Sequence, residues 1–135
     1  MTTEADITLL VCPNINESEL HMLYGAAWPA HDPEYNFLPI LVRSPIYVCA
    51  YSGERLVGWV YVAWDGGEHA FLLEPTVHPD WQHRGVGTAI VRRATEECRA
   101  RGMEWLHVDY EERLAPFYEA CGFTHSAAGL IRLDG

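Results

Sequence analysis

The sequence predicts one mixed α/β domain, in which a mostly antiparallel sheet is flanked by helices. Three observations support this fold class. The chain has 135 residues, close to the commonest domain size, which predicts a single domain over residues 1–135. Residues 46–77 contain three strand-like runs separated by turn residues. Residues 85–101 carry apolar side chains at helical spacing, which is typical of an amphipathic helix.

The first third of the chain predicts a strand, a helix and an irregular segment. Residues 7–12 form a short apolar run that a proline closes. Asn16 can cap the following helix, and Glu19 can complete a capping box. A proline after Trp28 should end this helix. Residues 28–39 contain three prolines, so we expect a loop there with a short helical piece.

The middle of the chain predicts an antiparallel meander. Strands over residues 46–51 and 56–64 are joined by Ser-Gly-Glu, and an Asp-Gly-Gly turn leads to a third strand over residues 70–77. Pro75 lies inside this third strand, and proline donates no hydrogen bond to a neighbouring strand. The sequence leaves open whether the strand is an edge strand or one whose pairing opens at Pro75.

The second half predicts a helix, a strand, a helix and a hairpin. Gly102 stands where the long helix needs a left-handed C-terminal cap. We expect a strand over residues 105–109, a helix over residues 113–120, and a terminal hairpin built from residues 123–125 and 130–133. The predicted order is therefore β-α-(α)-β-β-β-α-β-α-β-β.

Composition narrows the classes of function. The formal net charge is −10, which disfavours general nucleic-acid binding because acidic surfaces repel phosphates. This charge could attract a cationic substrate or could serve solubility alone. No apolar run approaches the roughly 18 residues of a membrane span, and the first ten residues carry no signal peptide pattern. We therefore expect a cytoplasmic protein that does not bind membranes.

Metal chemistry is not expected. The four cysteines include no C-x-x-C pair, the spacing that would favour zinc or redox chemistry. His78 and His83 lie close together in the sequence but have no third ligand nearby. The sequence therefore predicts no metal site.

A loop with two glycines joins the third predicted strand of the meander to the long helix. The first N–H groups of a helix lack internal partners and lie at the positive end of its dipole. Gly85 and Gly87 would let phosphates approach this backbone, and Arg84 and Thr88 add donors. A P-loop has a lysine at the position that Thr88 occupies here. A dinucleotide-binding motif has a glycine at the position of Ile90, so the sequence matches neither motif. A pyrophosphate site and an ordinary glycine-rich turn both remain open.

Two motifs together resemble the GCN5-related N-acetyltransferase (GNAT) superfamily. Gln82-x-x-Gly85-x-Gly87 matches the family's (Arg/Gln)-x-x-Gly-x-(Gly/Ala) signature. Residues 114–123, Leu-Ala-Pro-Phe-Tyr-Glu-Ala-Cys-Gly-Phe, are similar to its second signature, a helix that carries a tyrosine and ends in Gly-Phe. The resemblance covers residues 46–123. It implies the acyl-CoA N-acyltransferase fold and an enzyme that transfers an acetyl group from acetyl-CoA to an amine of a small molecule or peptide.

The resemblance also implies where acetyl-CoA binds. The pantetheine arm would run beside Thr76, Val77 and His78, pairing with strand backbone. The family often carries an Asn seven residues before the helix tyrosine, where this chain has Glu111. The role of Glu111 therefore stays open. The pyrophosphate would lie on the loop formed by Gln82, His83, Arg84, Gly85, Val86, Gly87 and Thr88.

Acetyl transfer to an amine needs a base, an oxyanion donor and an acid. An amine with a pKa near 10.4 is only about one part in a thousand neutral at pH 7, so a base must remove a proton. Glu74 is the first candidate and His78 the second, although each could be structural. The backbone N–H of Val77 is the candidate oxyanion donor. The resemblance implies that Tyr118 protonates the departing thiolate and contacts the cofactor; otherwise Tyr118 would be a core aromatic.

The acceptor pocket is predicted between the irregular segment and the meander. Aromatic rings next to carboxylates would suit a cationic amine, although core packing explains many of these aromatics equally well. The alternative function is a non-catalytic CoA-binding module for regulation or assembly, and the family resemblance implies a homodimer. The candidate acceptor-binding residues are Trp28, Tyr35, Asn36, Phe37, Trp59, Tyr61, Asp109 and Glu111.

Overall fold

One five-stranded sheet organises the chain. The computed structural model describes residues 6–134. The strands are adjacent in the order β1-β2-β3-β4-β5. Neighbours among β1 to β4 pair antiparallel, whereas β4 and β5 pair in parallel. The predicted mixed α/β class with a mostly antiparallel sheet is therefore confirmed. The strands are β1 Thr8–Val11, β2 Ile46–Ser52, β3 Arg55–Trp64, β4 His69–Val77 and β5 Trp105–Val108.

Four α-helices accompany the sheet, and the first begins as its sequence predicts. The Asn16 side chain accepts a hydrogen bond from the Glu19 N–H at 3.0 Å, and the Glu19 carboxylate accepts one from the Asn16 N–H at 3.2 Å. This capping box satisfies two backbone donors that have no partner within the helix. The helices are α1 Glu17–Ala27, α2 Leu38–Arg43, α3 Val86–Ala100 and α4 Ala115–Ala120.

The sheet is covered on both faces. Val48, Val60 and the α3 residue Ile90 belong to one buried cluster, while Leu23 of α1 and Trp59 belong to a second. Because successive side chains of a strand point to opposite faces, the neighbours Trp59 and Val60 put these clusters on opposite sides. α3 therefore packs on one face of the sheet and α1 on the other.

The prediction of a terminal hairpin is wrong. Residues 123–134 contain no strand, and the sheet ends at β5. Leu130, Ile131 and Leu133 are 81%, 85% and 93% exposed, so this apolar run packs against little. Strands this short form few ladder hydrogen bonds, and a hairpin without an apolar face to pack on is marginally stable in water.

Pairing along β4 opens at Pro75. On the β3 side, Tyr61 pairs with Leu73 and Trp59 pairs with Thr76, so Glu74 and Pro75 bulge out opposite a single residue of β3. On the other side, pairing with β5 covers only the first four residues of β4 and ends at Leu72. Residues 73–77 therefore offer a backbone edge that β5 does not cover.

Candidate active site

Residues 73–75 of the uncovered edge of β4 line a cavity of about 880 Å³, whereas Thr76 and Val77 are not part of its lining. Its walls come from the end of α1 and the segment before α2, from β4, from the residues after β5 and from α4. The lining contains carboxylates and aromatic rings but neither Arg nor Lys. Its aromatic and ionisable residues are Tyr24, Trp28, His31, Asp32, Tyr35, Glu74, Asp109, Tyr110, Glu111 and Tyr118.

The carboxylate of Glu74 is held by two tyrosines. The Tyr24 hydroxyl donates to Glu74 Oε1 at 3.0 Å, and the Tyr61 hydroxyl donates to the same oxygen at 3.2 Å. Trp59 Nε1 donates to the Tyr24 hydroxyl at 2.9 Å. Trp59 is fully buried. The buried cluster under α1 thus anchors a carboxylate that faces the cavity.

The two tyrosines act as hydrogen-bond donors. Burial and the nearby charge of Glu74 raise the pKa values of Tyr24 and Tyr61 above that of a free tyrosine. Both hydroxyls therefore keep their protons at physiological pH. Glu74 itself has φ of +48°, a left-handed conformation that is costly for a residue other than glycine. Such strain is common at functional sites.

The backbone of Val77 faces the open side of β4. The next residue, His78, donates its N–H to Val57 of β3 at 2.8 Å. Because successive N–H groups of a strand point to opposite edges, the Val77 N–H points away from β3, where no β5 residue pairs with it. The Val77 carbonyl lies on the same edge and accepts a hydrogen bond from Gln82 Nε2 at 3.1 Å.

Thr76 closes the bulge with its side chain. Its hydroxyl donates to the Glu74 carbonyl at 2.8 Å and accepts a hydrogen bond from Trp28 Nε1 at 3.4 Å. Thr76 is 1% exposed. The Thr76 side chain is therefore buried, and its hydrogen bond links Trp28 to β4.

His78 lies apart from the cavity. Its Nδ1 accepts a hydrogen bond from the Asp80 N–H at 3.0 Å, which caps a short 3₁₀ turn at Pro79–Trp81. Its Nε2 lies 2.9 Å from the Arg55 guanidinium. Both ring nitrogens thus face donors, and the ring borders a smaller cavity of about 210 Å³ next to Arg55. This position favours a structural role over that of a base.

The glycine loop leads into α3 one residue later than predicted, with Gly85 as the N-cap and not the first helical residue. Gly85 is the N-cap of α3 with φ of +84°, a conformation that glycine adopts without steric cost. At Gly87, an added Cβ would lie 3.4 Å from the Phe117 ring and 3.7 Å from the Val77 side chain. The first N–H groups of α3 and the side chain of Arg84 provide donors that suit a diphosphate.

Three further residues of the loop, His83, Val86 and Thr88, have constrained positions at the start of α3. His83 also has positive φ, +62°, and Val86 is 1% exposed in the core under α3. Thr88 forms a side-chain hydrogen bond with Cys121, which follows α4. The loop thus joins α3 to the end of α4 as well as to β4.

Tyr118 of α4 lines the cavity from the side opposite α1. It is 5% exposed, and its ring stacks on Tyr110 with centroids 4.7 Å apart. Burial raises the pKa of its hydroxyl above the ordinary value of 10.0, so this hydroxyl is protonated at physiological pH. It makes no hydrogen bond to another residue within 6–134 and is available to a ligand.

The predicted acceptor residues separate into two groups. Trp28, Tyr35, Asp109 and Glu111 line the cavity. Glu111 also forms an ion pair with Arg113, with Oε2 and Nε 2.8 Å apart. The other four lie outside the lining. Phe37 and Trp59 are fully buried. Tyr61 contacts Glu74 through its hydroxyl and is not part of the cavity lining. The Asn36 side chain accepts a hydrogen bond from the Leu38 N–H at 3.1 Å.

Sequence reasoning missed Tyr24 and His31. Tyr24 follows the apolar spacing of α1, so its sequence position predicts only a core aromatic. His31 lies in the irregular segment, and its Nε2 is 2.8 Å from Nδ1 of His21 in α1. This contact fixes the segment to the helix, and nothing in the local pattern of residues predicts it.

A family model described as the acetyltransferase (GNAT) family matches residues 14–123, which is most of the chain. The chain belongs to the GNAT family. The predicted identity as an acetyl-CoA-dependent acetyltransferase is therefore confirmed. Members of this family use acetyl-CoA and act on amine acceptors.

Individual relatives agree with this assignment. The chain is 26% identical over 129 residues to the uncharacterized N-acetyltransferase ycf52 of Porphyra purpurea, covering 93% of this chain and 74% of that protein. A GNAT-family acetyltransferase of Streptococcus pneumoniae has the same fold, with TM-score 0.75, 22% identity and coverage of 95% and 98%. The aminoglycoside N-acetyltransferase AAC(6′)-Iy in complex with CoA superposes with TM-score 0.72, 14% identity and coverage of 95% and 94%.

Within residues 6–134, no helix is long and apolar enough to cross a membrane. Over the same residues, no group of three or more His, Cys, Asp or Glu side chains is arranged to hold a metal ion. The cytoplasmic location stays a prediction from the sequence.

Proposed function

We propose that the cavity binds an amine of a small molecule or peptide and that the amine attacks acetyl-CoA directly, with Glu74 as base and Tyr118 as acid. One observation carries this proposal. The anchored carboxylate of Glu74 and the unpaired hydroxyl of Tyr118 line the same cavity, beside the uncovered edge of β4. A proton acceptor and a proton donor thus share one space with the backbone edge where a thioester would lie.

The chain's residues fit the cofactor that this family uses. The glycine loop and the start of α3 would hold the pyrophosphate, because the first backbone N–H groups of α3 lie there and Arg84 precedes the N-cap Gly85. The open edge at residues 73–77 would pair with the pantetheine arm as an added strand. Bound there, acetyl-CoA supplies the acetyl group as an activated thioester.

Glu74 would receive the proton of the acceptor amine, directly or through one water. Protonated amines predominate at neutral pH, so the acceptor enters as an ammonium ion that a carboxylate attracts. The two tyrosine donors orient Oε1 of Glu74. General base catalysis requires a base within hydrogen-bond reach of the proton that it removes, and the two tyrosines support this role by fixing the position of Glu74.

Val77 and Tyr118 would complete the reaction. The Val77 N–H points to the open edge of β4, where it can donate to the oxygen that becomes negative during attack. The Tyr118 hydroxyl keeps its proton because burial raises its pKa. It can therefore supply the proton that the departing thiolate needs.

The lining of the cavity favours a cationic acceptor. Four carboxylates, those of Asp32, Glu74, Asp109 and Glu111, line it together with the indole of Trp28. The charge of Glu111 is partly balanced by its ion pair with Arg113, which leaves Asp32, Glu74 and Asp109 to attract a cation. Carboxylates and aromatic faces both attract ammonium groups. Aminoglycosides, the class named for one structural neighbour, are polycationic amines and belong in any set of test acceptors.

A homodimer is part of this proposal. The last strand of the sheet, β5, leaves one edge free, and Trp105 on it is 60% exposed. Light scattering at micromolar concentration should give twice the chain mass of 15.3 kDa. A mass equal to that of one chain would contradict the homodimer. The proposed catalytic roles of Glu74 and Tyr118 would not be affected.

The decisive experiment is thiol release from acetyl-CoA with a panel of peptide N-termini, polyamines and aminoglycosides. All nine basic residues are arginines, so no lysine side chain of the enzyme can consume acetyl-CoA. We expect acceptor-dependent release that Glu74→Gln and Tyr118→Phe each reduce. Binding of CoA without thiol release toward any acceptor would contradict catalysis and favour a binding module.

A further inference from the structure

We infer that Tyr24 and Tyr61 are positioning residues that hold the Glu74 carboxylate in place to accept a proton, an inference that rests on the proposed role of Glu74 as base. Neither tyrosine needs to touch the acceptor for this role. Each acts through one oxygen of the carboxylate. Their contribution should therefore appear in turnover and not in the binding of acetyl-CoA.

The direction of the hydrogen bonds is determined by chemistry. An indole N–H can only donate, so the Tyr24 oxygen accepts from Trp59 at 2.9 Å. The single proton of the Tyr24 hydroxyl is then directed to Glu74 Oε1 at 3.0 Å. An ionised carboxylate can only accept, so Tyr61 must also donate to it. The network thus has one orientation, from Trp59 toward Glu74.

The network is assembled from distant parts of the chain. Tyr24 comes from α1, Trp59 and Tyr61 from β3, and Glu74 from the bulge of β4. Tyr24 is 6% exposed and Tyr61 is 9% exposed, so both rings are fixed by packing. A carboxylate on a bulge has no neighbouring strand to orient it, and these two rigid donors supply the missing constraint.

The network has two consequences for a base. First, both donors contact Oε1, which leaves Oε2 without a partner among residues 6–134 and available to the amine or a water. Second, two donors on one oxygen restrict the rotation of the carboxylate. Removing either hydroxyl should leave the carboxylate less well oriented toward the amine.

Phenylalanine variants separate positioning from packing, because Tyr→Phe removes only a hydroxyl. The variants are Tyr61→Phe and Tyr24→Phe. Tyr51→Phe is the matched control, since the Tyr51 hydroxyl also donates to a carboxylate oxygen, that of Glu19, at 3.2 Å, outside the cavity lining. Tyr61→Phe leaves the acceptor of Trp59 intact and so keeps the test valid if Tyr24→Phe fails to fold.

We expect kcat to fall about 10- to 100-fold in both site variants, because small misplacements of a reacting group have effects of this size. KM for acetyl-CoA should stay unchanged. A fall in kcat without a change in this KM distinguishes positioning of the reacting group from a loss of cofactor binding. Tyr51→Phe should keep the wild-type kcat and KM.

A double-mutant cycle with Glu74→Gln completes the test. If the tyrosines act through Glu74, adding Tyr61→Phe to Glu74→Gln should cause no further loss of kcat. Wild-type turnover in both Phe variants, beside a slow Glu74→Gln, would overturn this inference and leave the proposed function standing. Wild-type turnover in Glu74→Gln would instead overturn the base assignment, and this inference with it.

Discussion

The two sides of the proposed site are built in different ways. On the cofactor side, the proposed pyrophosphate site is one contiguous stretch, residues 82–88, whose donors are mainly backbone N–H groups at the start of α3. The acceptor side is built from side chains, and Glu74 meets Tyr24 from 50 positions away and Tyr61 from 13 positions away. Backbone N–H donors are still present after a side chain is substituted. A hydrogen-bond network made of side chains is lost when one of its members is substituted. Substitutions should therefore separate the two sides into binding defects and turnover defects.

The largest effect should follow removal of a proton-transferring group on the acceptor side. Tyr118→Phe should lower kcat about 10²- to 10⁴-fold with CoA affinity nearly unchanged. Because burial raises the pKa of Tyr118 above 10.0, the wild-type hydroxyl stays protonated up to that pH, and the defect should persist throughout pH 6 to 10. Steady-state kinetics on one good acceptor would measure it. Full turnover in this variant would assign Tyr118 to packing alone.

Glu74→Gln should give a defect of similar size near neutral pH but a different pH dependence. The free amine becomes abundant as the pH approaches its pKa near 10.4, so the need for a base declines. The ratio of wild-type to variant kcat should therefore shrink as pH rises. A ratio that stays constant from pH 6 to 10 would contradict the role of Glu74 as base.

On the cofactor side, Gly87→Val should weaken CoA binding by tenfold or more, on the order of 1.4 kcal/mol. A side chain at this position would enter the space beside Phe117 and Val77 and hinder phosphate approach. Calorimetric titration with CoA measures the affinity. Gly25→Val is a matched control, because Gly25 also lies in a helix and has nothing within 4 Å of an added Cβ. Unchanged affinity in a folded Gly87→Val protein would exclude the loop as the pyrophosphate site.

The acceptor-side network should also contribute to stability. Tyr24→Phe removes the acceptor of the buried Trp59 N–H, and an unsatisfied buried donor costs about 1–3 kcal/mol. Denaturant unfolding should show this loss, whereas Tyr61→Phe should lose less because its hydroxyl supports no other buried donor. Equal stability of the two variants would mean that Trp59 finds another partner.

The smallest effect should come from a charged side chain on the cofactor side. Arg84→Ala should weaken CoA binding only a few-fold, because the backbone donors remain. Its contribution is electrostatic, so the difference from wild type should be larger at low salt than at high salt. Titrations at two ionic strengths would test this expectation, and a salt-independent loss would point to a structural role.

Much of the fold could be predicted because its signals are local. The Asn16–Glu19 capping box, the meander and the left-handed Gly102 each depend on residues that are near one another in sequence. The prediction of a terminal hairpin was wrong because a hairpin does not depend on local signals alone. Its apolar residues are strand formers, but a strand needs a partner and a face to pack on, and Leu130 and Ile131 find neither.

By itself, the sequence determined the helix caps, the order of strands, the position of the glycine loop and the family. These follow from backbone preferences and short motifs. Only the tertiary structure decided that Tyr24 meets Glu74, that Trp59 and Phe37 are buried outside the cavity and that His78 faces Arg55. The physical reason is that such contacts join residues far apart in the chain. They form only when α1 packs on the sheet and the bulge at Pro75 turns Glu74 toward that helix.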